Sequence, residues 1–219
     1  MLVQGIVTPP AAQSLPDTAS PVAVPLGKQG EIIMTELNAK NYTQCYRGNI
    51  FSVSTVVAGL AIPISTTTAP TVALWNPAGS GKNAVLIRFN WAYVSGTSVG
   101  GAFGLQFQLN AGNTVATGAV FTAFANSTAL NGVIGSGTAS VVRASAAGTN
   151  TLTAAGTNVV LWMSHENAVL AATAVNGAMM SYDFDGMVIV PPGVAIYVVG
   201  SAASGALLAQ TLVWAELPV

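Results

Sequence analysis

The residues best suited to chemistry are few, and each sits in an incomplete pattern. His165-Glu166 opens like the helix of a zinc protease, which needs a second histidine four residues on; position 169 is Val169. The chain has one histidine and one cysteine, Cys45. A zinc site would therefore have to draw mainly on carboxylates. A Ser-His-Asp triad would compete for the same histidine, and no G-x-S-x-G elbow offers the serine. His165 reads instead as a strand-end residue in a turn with Glu166 and Asn167.

Gly79-Ser80-Gly81-Lys82 has part of the pattern of a phosphate loop. That loop requires a glycine where this chain has Asn76, and a hydroxyl residue where it has Asn83. A strand, not a helix N-terminus, is expected after Lys82, so the dipole that would face a phosphate is missing. Asp183-Phe184-Asp185-Gly186 resembles part of a calcium loop. Aligned on the EF-hand pattern, its first ligand would be Ser181 and its bidentate glutamate would fall on Pro192. A calcium ion held by Asp183 and Asp185 in another geometry stays open, beside the simpler reading of a tight turn. The seven carboxylates, spread from Asp17 to Glu216, form no pair in an active-site motif of glycosidase type. The expectation is a non-enzymatic chain with no cofactor.

Composition points the same way. Of 219 residues, 52% are hydrophobic and 6% charged, with a mean hydropathy of +0.60; an average soluble domain is about 25% charged. Two explanations offer themselves: a membrane, or surface covered by other subunits. A membrane helix needs about 18 uninterrupted apolar residues. The best window, 51–75, is broken by Pro63, Pro70 and the polar run Ser65 to Thr68. A transmembrane barrel should show more regular strands with aromatic girdles. The first residues lack a basic n-region, and Pro9, Pro10, Pro16, Pro21 and Pro25 lie where a signal's apolar stretch would be. Six Lys and Arg in total, at a net charge of −1, cannot form the basic stripe that nucleic acid requires. Cys45 excludes an intrachain disulfide and reads as a small buried hydrophobe, which suits assembly in a reducing cytoplasm.

The elements that would position these residues divide into an arm and a domain. Residues 1–28 combine prolines, which remove backbone donors, with recurring apolar residues. This predicts an extended N-terminal arm lying on a neighbouring surface, with Leu2, Val3, Ile6, Val7, Val22 and Val24 as its interface residues. From Gly30 onward the period is two, as in half-buried antiparallel strands. Val85, Ile87, Phe89, Trp91 and Tyr93 are expected on one face of a strand, with Arg88 and Asn90 opposite. Phe103, Leu105, Phe107 and Leu109 alternate with Gly104, Gln106, Gln108 and Asn110. Further strands are expected at 31–34, 50–57, 158–164, 186–190, 194–199 and 207–214, and one short helix at 35–46 ended by Gly48. Many short strands between Gly and Pro turns predict an all-β antiparallel sandwich over 29–219. A Thr/Ala/Gly-rich insertion at about 111–158 is too long to be structureless inside such a domain. Strands are expected in it at 115–125 and 138–144, and its small residues make it a second candidate for subunit contact.

Several segments together resemble a known group. Gly30-Glu31-Ile32-Ile33, Tyr46-Arg47-Gly48-Asn49-Ile50-Phe51 and the run from Leu74-Trp75 to Gly81-Lys82 are similar to a pattern of phage virion proteins. Asp185-Gly186 and Val190-Pro191-Pro192-Gly193, leading into 194–199, resemble jelly-roll strands entered through a Pro-Gly turn. The likeness spans roughly 30–215, and the family is the capsid cement (decoration) proteins, or related short fibres, of tailed phages. It implies a jelly-roll β-sandwich homotrimer in the virion, seated where capsomers meet and tying major capsid subunits together against packed DNA. The alternatives are a head or tail fibre or adaptor subunit, and a glycan-binding sandwich for host attachment. For the last, Trp75, Trp91, Trp162 and Trp214 are the stacking candidates, Trp91 being assigned to the core by its alternation.

Overall fold

A computed structural model of the chain describes residues 4–6, 21–23, 40–97, 100–109, 121–156, 158–166 and 179–219. They fall into two compact units, Met1–Arg47 and Gly48–Val219. In the first unit, β1 (Gln4–Ile6) pairs antiparallel with β2 (Pro21–Ala23), so the chain reverses direction between them. The helix foreseen at 35–46 is confined among the described residues to one short turn, α1 (Tyr42–Tyr46). Tyr42 and Tyr46, four apart on its surface, stack at 6.0 Å between ring centroids. Cys45 is a free thiol and only partly buried, against the expectation of a buried one.

The second unit is an antiparallel β-sandwich, as the period-two pattern predicts. Its principal strands are β3 (Ile50–Ser54), β4 (Ala73–Asn76), β5 (Lys82–Ser95) and β6 (Gly101–Leu109). The insertion contributes β7 (Phe121–Ala123), β8 (Leu130–Asn131), β9 (Arg143–Ser145) and β10 (Thr151–Leu152). Then follow β11 (Asn158–Glu166), β12 (Met179–Asp183), β13 (Ile189–Val190), β14 (Val194–Gly200) and β15 (Leu207–Pro218). One sheet has the order β12-β5-β15-β3-β8, with β13 also on β5; the other has the order β11-β6-β14-β4-β9. Pairing is nested: β3 with β15, β4 with β14, β5 with β12 and β13, β6 with β11. That is a long hairpin wrapped alternately into two sheets, the winding of a jelly roll. The insertion sits at the hairpin's tip.

Between the sheets lies a core that includes Phe51, Leu74, Leu86, Phe89, Leu105 and Trp214, each at most 2% exposed. Phe89 stacks on Trp91 at 5.5 Å, and Trp91 meets Phe103 edge-on at 5.8 Å. Such a set contributes about 1.5–3 kcal/mol per fully buried large side chain.

The start of β5 departs from the expected alternation. Ala84 and Leu86, not Val85 and Ile87, face the core there, and Phe89 and Trp91 face it further on. The register against β15 slips between Val213 and Trp214, which lie opposite Arg88 and Leu86. A β-bulge at Ile87 inserts one residue and flips the alternation. Pure alternation cannot foresee this, because both faces of β5 carry apolar residues. Opposite the bulge, Phe184 to Met187 form a tight turn in which the Met187 amide donates to the Phe184 carbonyl at 2.9 Å. Asp185 (φ 49°) and Gly186 (φ 81°) both take left-handed conformations there, the requirement of a type I′ turn. The strand foreseen at 186–190 therefore shortens to β13.

In the insertion, β7 falls within the expected 115–125. The strand expected at 138–144 is reduced to β9, because 136–142 are irregular chain. The strand at 31–34 and the arm boundary at 28/29 lie outside the described residues. Among the described residues, no helix is long and apolar enough to cross a membrane.

Candidate interaction surface

The two sheets treat their outer faces differently. On the five-stranded sheet, register places two adjacent rows across four strands: Gln108–Ala195–Trp75–Arg143 and Gln106–Tyr197–Ala73–Ser145. The insertion covers them. Phe121 and Phe124 pack on Trp75 at 6.0 and 5.8 Å, Arg143 lies over the same indole at 5.4 Å, and Leu152 joins the cluster. Asn150 fastens the cover, donating to the Pro70 carbonyl at 2.9 Å and accepting from the Ala125 amide at 3.1 Å. The Gln106 amide donates to the Gly156 carbonyl at 2.6 Å. Gly156 admits no larger residue, because a Cβ there would run into the Tyr197 hydroxyl. Trp75 Nε1, Gln106 Oε1, Gln108 Oε1, Ser145 Oγ and Tyr197 Oη are buried in these rows without a hydrogen-bond partner of good geometry.

Burial raises the Tyr197 phenol above its ordinary 10.0, an effect the neighbouring Gly156 backbone offsets in part. The folded state thus holds this proton more tightly than the unfolded chain does. The associated stability is whole below about pH 10 and is lost as pH climbs through the folded pKa. Urea melts between about pH 8 and 11 are expected to show a falling midpoint at the alkaline end. Tyr197→Phe should flatten that fall while leaving neutral-pH stability equal or slightly higher. An identical alkaline slope in the variant would contradict this.

The outer face of the six-stranded sheet is covered at Ile50 and Ala215, which are buried, and is more exposed among the described residues in the two rows beside them. These two outer rows are Ser54–Thr211–Asn90–Ser181 and Ser52–Val213–Arg88–Asp183. Every one of these residues is at least partly exposed. Ser54 and Thr211 share a hydroxyl hydrogen bond at 2.8 Å. Arg88 and Asp183 form an ion pair, each side chain 49% exposed. At either end of β3, apolar tips project into solvent: Val56 and Val57 (62% and 94% exposed) and Val133 and Ile134 (37% and 90%).

The residues singled out from the sequence are scattered over this framework. Ile6 and Val22 lie in β1 and β2; Leu2, Val3, Val7 and Val24 lie outside the described residues. Gly79 to Lys82 complete a turn from which β5 departs directly, as expected of a strand entry. Asn76 holds that turn, its side-chain amide donating to the Lys82 and Val190 carbonyls at 2.8 Å each. His165 and Glu166 end β11. Asp183 is spent on Arg88, and among the described residues no three His, Cys, Asp or Glu converge. Trp75, Trp91 and Trp214 are buried, while Trp162 stands 48% exposed beside Gly104, where a Cβ would press its ring at 2.8 Å. The insertion's aromatic residues pack on its own sheet. Arg88 was legible as an outward residue from alternation. Asp183 as its partner was not, since their pairing joins strands 95 residues apart.

The chain matches no protein family, no curated protein and no solved structure.

Proposed function

We propose that this chain is a non-enzymatic virion structural protein, a cement (decoration) protein that binds the major capsid subunits of a tailed-phage head. The same surface would serve a head or tail fibre or adaptor subunit. The observation that carries the reading is a sandwich whose outer sheet rows and loop tips expose Val56, Val57, Ile134 and small uncharged residues, with little charge to hold other proteins off. Such surface is costly alone and useful in an assembly. Each Å² of apolar area buried contributes roughly 25 cal/mol before ordering costs are subtracted. The glycan-binding alternative has one observation in its favour, the half-exposed Trp162.

Light scattering on the purified protein, with and without residues 1–28, together with binding to undecorated phage heads, tests the reading. A trimer that binds heads and loses them on truncation is the expected result. A monomer that ignores heads would sink it and direct attention to sugars at Trp162.

A further inference from the structure

We infer that the exposed outer rows of the six-stranded sheet around Arg88 and Asp183 are a contact between two copies of this chain, related by a two-fold axis that passes between these two residues. Three observations lead there. Among the described residues the insertion covers the outer face of one sheet, while the two outer rows of the other that hold Asn90 and Arg88 keep partial or full exposure. The open rows carry one cation and one anion, adjacent on neighbouring strands and both half exposed. A two-fold interface sets the same patch against itself, so residue i meets residue j and residue j meets i. A patch holding one charge of each sign is then self-complementary: Arg88 of each copy meets Asp183 of the other, and no like charges are opposed. Around the pair lie apolar side chains on the same face, Val213 on β15, Val85 on β5 and Ile189 on β13, the last 56% exposed. A second copy would take these out of water.

A partner of strong single-sign charge fits this patch poorly, since it would meet one favourable and one unfavourable charge. A second copy fits both. The inference goes beyond the reading above: the contact joins copies whether or not the chain sits on a phage head, and would link two trimers if the chain is trimeric. The patch is small, so the contact is expected to be weak and to loosen with salt.

The test uses the full chain. Light scattering across protein concentration should give the mass of an even number of chains at the high end. R88D alone opposes carboxylates at both crossings, and D183R alone opposes guanidiniums; each is expected to halve that mass. Mixing the two variants in equal amounts should restore it. At each crossing of the mixed pair, one carboxylate of the R88D chain then faces one guanidinium of the D183R chain. The double variant R88D/D183R should also associate. Rescue on mixing cannot arise from a merely intrachain role of the ion pair, nor from misfolded variants. Three outcomes would overturn the inference: an undiminished mass in both single variants, a mixture that stays dissociated, or a wild-type chain whose mass is odd or single at every concentration. Head binding that persists in dissociated R88D would leave the cement reading standing, and its loss in a chain that still associates would remove that reading alone.

Discussion

Trp214→Ala is expected to remove about 3–5 kcal/mol of stability, the usual cost of deleting a large buried aromatic, and so a large part of the total margin of a single domain. Trp214 is fully buried at the centre of β15, the strand that joins β3 to β5. Its ring stacks on Phe51 at 6.2 Å, opposite Leu86, where the bulge in β5 brings the core face back into register. Truncation opens a cavity between two apolar neighbours that the closed sandwich cannot collapse. It also takes a donor from Glu216, which Trp214 Nε1 reaches at 3.3 Å. Urea denaturation measures the effect: the midpoint should fall sharply with little change of slope. A loss below about 1 kcal/mol would mean that the core is not built as described.

Glu216→Ala is expected to cost roughly 2–4 kcal/mol and to loosen one segment in particular. Glu216 is 4% exposed yet stands in the apolar terminal strand. Its carboxylate accepts from the Val141 amide at 3.2 Å and the Val142 amide at 3.3 Å, and also hydrogen-bonds the Ser140 hydroxyl. It therefore clamps the irregular stretch that leads into β9 against β15. Removing it strands two buried donors, the Val142 amide and the Trp214 indole, at about 1–3 kcal/mol each where no water replaces the acceptor. Glu216→Gln keeps one acceptor but turns an amide towards other N–H groups, so about half the loss is expected. Limited proteolysis should find new cleavage between 132 and 142 in the alanine variant before the rest of the domain opens. Cleavage elsewhere, with that stretch still protected, would show that the clamp is not what holds it. Because Trp214 donates to the same carboxylate, the two substitutions should be non-additive.

These residues differ in how far the sequence announces them. Trp214 stands among the sugar-stacking candidates in the sequence, because Val213 and Ala215 leave both parities of its strand apolar; its burial opposite Leu86 is decided by the tertiary structure. Glu216 also falls on that core-facing parity, as an acid among Leu, Val, Trp and Ala, but what it holds comes from 74 to 76 residues upstream. The rows under the insertion show the same limit. Gln106 and Gln108 alternate visibly with the core residues of β6 and look like solvent-facing side chains. They are covered because Phe121, Phe124 and Leu152 return over that face of the sheet.

What the sequence determined by itself was the class of the fold and the scarcity of chemistry. Period-two runs between Gly and Pro turns select sheets, because side chains alternate sides on a strand. A chain with one histidine, one cysteine and no complete motif offers few constellations to assemble. What only the tertiary structure decided was which outer rows of which sheet stay exposed among the described residues. That depends on where the insertion lands, on a bulge that flips the parity of β5, and on a cross-strand register that sets Arg88 beside Asp183. Each is a long-range pairing, and alternation along one strand carries no information about the strand that will lie next to it.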